Sequence, residues 1–267
     1  MRRGLAVFLL VGLFAISIAV GQAEQTQAPA PAPAPAATES LPTVDQVLDK
    51  YVEALGGKAA IEKGTSRMGK GTFEIPEFGA TGTITLFAKV PNKTAVVVDI
   101  PGFGMVKQGF DGTVAWDDNP QSGLTEKSGA ALATAKRDAT FHRELQLKTL
   151  YKQWEVKGKQ KLAEQDVFML TATPEEGAVE TWYFDAVTGL LARVDMEREG
   201  PQGTGVVQAS MKDYRDVEGV KTPFRIEQVL PGMTIIIKFD EVKQNVEIED
   251  SQFIKPSVTP PATTPQG

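Results

Sequence analysis

Cysteine is absent from the 267-residue chain. That excludes disulfides, thiol catalysis, thiolate metal sites and acylation at a lipobox cysteine. Histidine is nearly absent as well. The single one, His142, leaves no HExxH zinc motif and no two-histidine metal site. There is no GxSxG elbow and no Walker-type loop. Gly200, Gly203 and Gly205 fall in a Pro-containing connection between strand-like runs, where they cannot cradle a phosphate as a Rossmann turn does. A basic cluster is missing too, and the formal charge is −6. An acidic chain of this kind argues against nucleic acid as a partner and gains nothing from anionic membrane surfaces. The carboxylates sit in turn-like groups, Asp117-Asp118, Glu175-Glu176, and Glu247, Glu249 and Asp250, which mark no catalytic pair. The expectation is a non-enzymatic protein with no metal and no cofactor.

What is present starts with an export signal. Arg2 and Arg3 precede an apolar run over residues 5–20, and the small residues Ala19, Gly21 and Ala23 follow. The run is shorter than the roughly 20 residues a bilayer span needs, so cleavage is expected rather than anchoring. An alternating Ala-Pro tract follows, which favours extended polyproline II and acts as a spacer. The organisation read from these features is a signal peptide over 1–23, a linker over 24–41, a domain over 42–256 and a disordered Pro/Thr-rich tail over 257–267. The protein is expected to be periplasmic or secreted.

Within the domain the first element is a helix. Thr43 and Gln46 form a capping box, Val44, Val47, Leu48, Tyr51 and Leu55 follow at helical spacing, and Gly56-Gly57 ends it. A short turn is expected over 58–63. From residue 67 the apolar period becomes two. Strand-like runs occupy 67–75, 84–88, 94–100, 105–110 and 113–116, and then 154–162, 167–173, 178–185, 189–198, 205–213, 220–230 and 234–242. Asp111-Gly112 and Glu218-Gly219 read as tight turns between strands. Pro223 makes its strand bulged, late-starting or edge-like. In 182–197, Leu190, Ala192, Val194 and Met196 share one parity and predict an inward row. Residues 127–154 break the pattern and predict one or two helices.

The fold class expected is mainly β, with about eleven antiparallel strands in a meander interrupted by helices. A sheet this long must curl into an incomplete barrel, and one-sided helices then lie against its concave face. Apolar and aromatic residues form the surplus that chemistry does not explain. Leu86, Val97, Phe103, Met105, Trp116, Phe141, Leu145, Leu190, Val194 and Met196 are the candidate ligand-lining residues. Core packing is the competing reading for each of them.

LDKYVEALGG in the first helix, GFDGTVAW, YFDAVTGLLARV, DYRDVEGVKTPF and the closing IEDSQFIKP, in that order and spacing, together cover most of 41–256. With the leader they resemble the periplasmic lipoprotein carriers of the Lol type and their outer-membrane lipoprotein-sorting relatives. The resemblance implies an incomplete β-barrel whose helices cover a hydrophobic cavity. It also implies a carrier that holds a lipoprotein acyl chain or other lipid. The alternative is an envelope interaction module with a packed core, a protein partner and no ligand.

Overall fold

Thr43 starts the fold. In the computed structural model, which describes residues 40–200 and 203–257, its hydroxyl accepts from Gln46 N at 3.2 Å. Its own N–H donates to Gln46 Oε1 at 2.8 Å. This closed box begins α1 (Val44–Leu55), and Gly56 at φ +123° ends it, followed by the single turn α2 (Lys58–Ile61). Val47, Leu48, Tyr51 and Leu55 are buried on one face, as their spacing requires. The expected leader, the Ala-Pro tract and residues 258–267 lie outside the described residues.

Six strands follow: β1 (Ser66–Ile75), β2 (Ala80–Lys89), β3 (Lys93–Ile100), β4 (Gly104–Phe110), β5 (Ala115–Asn119) and β6 (Gly123–Glu126). Two helices come next, α3 (Gly129–Asp138) and α4 (Arg143–Leu150). The remaining strands are β7 (Gln153–Leu162), β8 (Gln165–Thr173), β9 (Glu180–Asp185), β10 (Leu191–Gly200), β11 (Gly203–Val217), β12 (Val220–Leu230) and β13 (Met233–Gln244). All thirteen form one antiparallel sheet in the order β6-β5-β4-β3-β2-β1-β13-β12-β11-β10-β9-β8-β7. It is mainly β, curled and unclosed, with helices on one face, as expected.

The pairing of β1 with β13 joins two meanders at the centre of the sheet and leaves β6 and β7 as its edges. The chain from β6 to β7 therefore has to travel between those edges, and α3 and α4 make that crossing. One face of the sheet takes the helices. Leu170, Ala172, Trp182, Phe184 and Val194 pack with Val47, Leu48, Tyr51, Leu147 and Tyr151 from α1, α4 and its C-terminal end. On the same face Phe110 and Ala115 meet Leu132, Ala135 and Ala139 of the α3 segment.

The opposite, convex face of β2–β5 is covered by the chain's last described segment. Ile248 and Phe253 pack with Ala95 and Phe87, and Phe253 is fully buried. Trp116 donates its indole N–H to Phe253 O at 2.9 Å. Its ring lies over Gly109, where a Cβ would stand 2.6 Å from the ring, so this position requires glycine. Asp250 takes both Lys89 and Lys93 at 2.9 and 2.8 Å, and these ammonium hydrogen bonds hold its carboxyl down at about 2. The covered-strand pattern of residues 94–100 thus has a concave side packed with apolar residues of neighbouring strands and a convex side under this strap.

Several local expectations need correction. There are thirteen strands; β6 went unread because GLTE is short, largely exposed and lacks apolar alternation. The Asp111-Gly112 turn is a four-residue loop, 111–114, held by Asp111 Oδ1 accepting from Thr113 N and Val114 N at 2.8 Å each. Glu218 and Gly219 do form a two-residue turn, at φ 53° and 86°, the positive pair that a type I′ turn needs. Pro223 pairs with β11 but lies before the start of the β12–β13 ladder, so its missing donor is harmless there. Finally, a bulge between Leu191 and Arg193 shifts the β9–β10 register. Leu191 takes the inward place opposite Phe184, and Leu190 stays in the turn.

Phe253→Ala should lower the unfolding free energy by about 3–5 kcal/mol, the usual cost of an emptied aromatic site. Urea titration followed by tryptophan emission measures it. An unchanged midpoint would mean that the strap does not seal the convex face.

Candidate functional site

Glu180 opens β9 on the inward parity with Trp182 and Phe184, a position where a carboxylate is costly unless fully partnered. It is 1 % exposed. Its Oε1 accepts from the Arg137 guanidinium at 2.7 Å; its Oε2 accepts from Tyr151 Oη at 2.6 Å and from the Trp182 indole at 3.1 Å. Arg143 stands 4.0 Å from the same oxygen, donates to Tyr151 Oη at 3.0 Å and lies over the Trp182 ring. Asp138 at the end of α3 pairs with Arg143 at 3.2 Å and with Arg198 of β10 at 2.9 Å. α3, α4, β9 and β10 are thus held to one carboxylate-centred knot.

Burial alone would raise the Glu180 carboxyl. The Tyr151 hydrogen bond with Arg143 and Arg137 outweighs it and holds the group below the ordinary glutamate value. Burial likewise pushes the Tyr151 hydroxyl up to about 12, so it stays protonated as a donor. Every strong partner of Glu180 donates to it: the Arg137 guanidinium, the Tyr151 hydroxyl and the Trp182 indole. Among the described residues no group of three or more His, Asp or Glu is placed to hold a metal.

Beyond the knot the concave face changes character. Met211 faces Ile226, Ile226 faces Ile237, and Ile237 faces Phe73 across β11, β12, β13 and β1. A second row runs through Phe239, Ile84, Val98 and Val106, and Leu86 with Val96 forms a third. Phe73, Leu86, Val96, Ile226 and Ile237 are half-buried and surround a buried centre of Ile84, Val98, Phe224 and Phe239. The result is an apolar trough on β12, β13 and β1–β4, bounded on the helix side by the charged knot. Two clefts elsewhere are less suited to a chain. One of about 530 Å³ between α1, α2 and α4 is lined by Asp49, Glu53, Lys58, Glu62, Glu144 and Lys148 among others. A second, of about 260 Å³, lies between α1 and the β9–β10 turn beside Phe168 and Phe184.

The sequence-predicted lining residues are only partly brought together. Leu86 lies in the trough, and Met196 is half-buried on the same face next to the packed core. Val194 is fully buried in that core; Leu145 and Leu190 pack at its margin. Phe141 is buried between α3 and α4. Val97, Met105 and Trp116 are on the convex face, because β3, β4 and β5 pair in a register that sends these parities outward. Met105 and Phe103 are 46 % and 41 % exposed, with Phe103 in the β3–β4 turn. Sequence reasoning missed Phe73, Ile226, Ile237 and Phe239, and the knot residues Arg137, Arg143 and Glu180. Glu180 had a legible signal: a charge on the apolar parity of ETWYFD.

No protein-family model and no curated protein matches the chain. Solved structures do. A DUF1329 family protein from Desulfovibrio piger superposes with a TM-score of 0.55 at 14 % identity, over 79 % of this chain and 97 % of its own. A LolA superfamily protein from Nitrosomonas europaea gives 0.54 at 13 %, over 80 % and 99 %. A structure described as an outer membrane lipoprotein-sorting protein domain, from Vibrio parahaemolyticus, gives 0.52 at 10 %, over 79 % and 97 %. At these identities the likeness is one of fold. The chain has the open, helix-lined β-sheet of LolA-like proteins.

Glu180→Gln should cost about 3–5 kcal/mol by leaving Arg137 without its buried counter-charge. Because the Glu180 carboxyl is held down in the folded state, its contribution is present above the ordinary value of about 4.3 and fades as pH falls through the lowered one. The stability gap between wild type and variant should therefore narrow from pH 6 towards pH 3 in denaturant titrations. A gap independent of pH would show that Glu180 is not the ionised centre of the knot.

Proposed function

We propose that the protein is a non-enzymatic carrier or binding protein of the bacterial envelope that holds an acyl chain of a lipid or lipoprotein along its trough. The observation that carries this reading is the run of half-buried apolar side chains on the concave face. Ordinary monomer surfaces avoid a contiguous apolar surface of that kind unless something binds there. Enclosing a chain would contribute about 0.8 kcal/mol per CH₂, offset by the cost of ordering it. Met196 and Met211 border the trough, and their flexible thioethers let its wall fit chains of different shape. The lipoprotein-sorting description of the Vibrio neighbour and the LolA assignment of the Nitrosomonas neighbour support the same class of ligand. The leader expected at residues 1–23 would deliver the protein to the periplasm, where such cargo is handled.

Delipidated protein should take up a fluorescent fatty acid saturably, and Ile226→Glu should weaken uptake on the order of tenfold or more by placing a charge in the apolar wall. Val229→Glu, at a convex position that is 46 % exposed, serves as the control and should leave uptake as in wild type. Uptake that fails to saturate, or that both variants reduce alike, would overturn the reading.

A further inference from the structure

Arg67 stands apart from the other described arginines. Arg137 has Glu180, Arg143 and Arg198 have Asp138, Arg193 has Asp195, Arg215 has Asp213, and Arg225 has Glu227. Among the described residues, the Arg67 side chain has no carboxylate and no hydrogen bond; its Nε is buried without an acceptor, as are those of Arg137, Arg143 and Arg193, but those three guanidiniums have carboxylate partners. Its contact is with the buried Phe141 ring, whose centroid lies 5.7 Å from the guanidinium carbon. A partly desolvated guanidinium is unfavourable without a negative partner, and its planar fork matches a carboxylate or phosphate.

The position of this arginine is the second observation. Arg67 is on β1 opposite Ala88 of β2 and Gln244 of β13, on the parity of Gly69, Gly71 and Phe73. That is the concave face, at the end of the trough nearest the α3–α4 connection, where Phe141 N donates to Pro91 O and His142 Nε2 meets Gly64 O at 2.9 Å. From Arg67 to Phe73 the strand covers about 20 Å at about 3.3 Å per residue. Leu86 and the buried Ile84 flank that path, and the buried Phe239 ring lies over Gly69 as its floor. A cation without a carboxylate partner at the head of an apolar path is the complement of an amphiphile with one anionic group and one long chain.

We propose that Arg67 receives the anionic head group, a carboxylate or a phosphate monoester, of an amphiphile whose chain lies in the trough. The inference rests on the acyl-binding reading above and adds head-group selectivity and orientation to it. The head lies beside Phe141, and the tail runs towards Phe73 and Ile237.

The test is displacement of the neutral dye Nile red from delipidated full-length protein by laurate, dodecyl phosphate, 1-dodecanol and dodecylamine. Wild type should favour laurate or dodecyl phosphate over dodecanol by about tenfold, and dodecylamine should bind weakest. Preference for one anion over the other tells whether a carboxylate or a phosphate is the better fit. In Arg67→Met, which keeps the apolar stem, the anion-to-alcohol ratio should fall to about one; Arg67→Lys should retain a preference for the anions. Thermal melts of both variants establish that they are folded. If wild type binds laurate, dodecanol and dodecylamine equally, or Arg67→Met keeps the full preference, the head-group assignment is wrong while acyl binding stands. If no ligand displaces the dye and the dye itself does not bind, the acyl-binding reading falls and this inference with it.

Discussion

One buried carboxylate carries the tertiary arrangement. A thirteen-stranded sheet whose first and last strands pair at its centre has two free edges, and the chain must pass from one edge to the other. That passage is made by two short helices, and α3 has only a weak apolar face of its own. Glu180 compensates for this. It gathers Arg137 from α3, Tyr151 from the end of α4 and Trp182 from its own strand, while Asp138 brings Arg143 and Arg198 to the same place. A buried ion pair of this sort stabilises less than an apolar core would, yet is costly to break, so it specifies where the helices dock more than how strongly.

The knot also divides the concave face. On one side α1 and α4 bury Trp182, Phe184, Leu170 and Val194 as a packed core, with Tyr51, Tyr151, Trp154 and Trp182 in edge and tilted ring contacts. On the other side Phe73, Leu86, Ile226 and Ile237 keep part of their surface. The same residue types thus form a closed interior in one half and a partly exposed apolar surface in the other. Helix coverage makes the difference. The convex face is managed separately: the strap through Ile248 and Phe253 covers the outward apolar row of β2–β5.

Much of this was legible from local pattern. The Thr43–Gln46 box, the Glu218-Gly219 turn and the period-two runs are written in adjacent residues, and the structure follows them. Leu86 could be placed on the concave face because its strand alternates without interruption. Val97, Met105 and Trp116 could not, because the face a parity occupies depends on register with neighbouring strands. Leu190 failed for a related reason: a one-residue bulge moves every following side chain to the other face, and nothing in LLARV announces it.

By itself, then, the sequence determined the element types, a meander of antiparallel strands interrupted by helices, and the absence of thiol, zinc-motif and phosphate-loop chemistry. These follow from residue composition and from periodicities of two and 3.6, which are local properties. Tertiary structure decided which apolar parity faces inward, how far the helices extend over it, and that Glu180 and three arginines meet although they lie far apart in the chain. Those outcomes depend on pairing register and on the route between two sheet edges, which no single segment encodes.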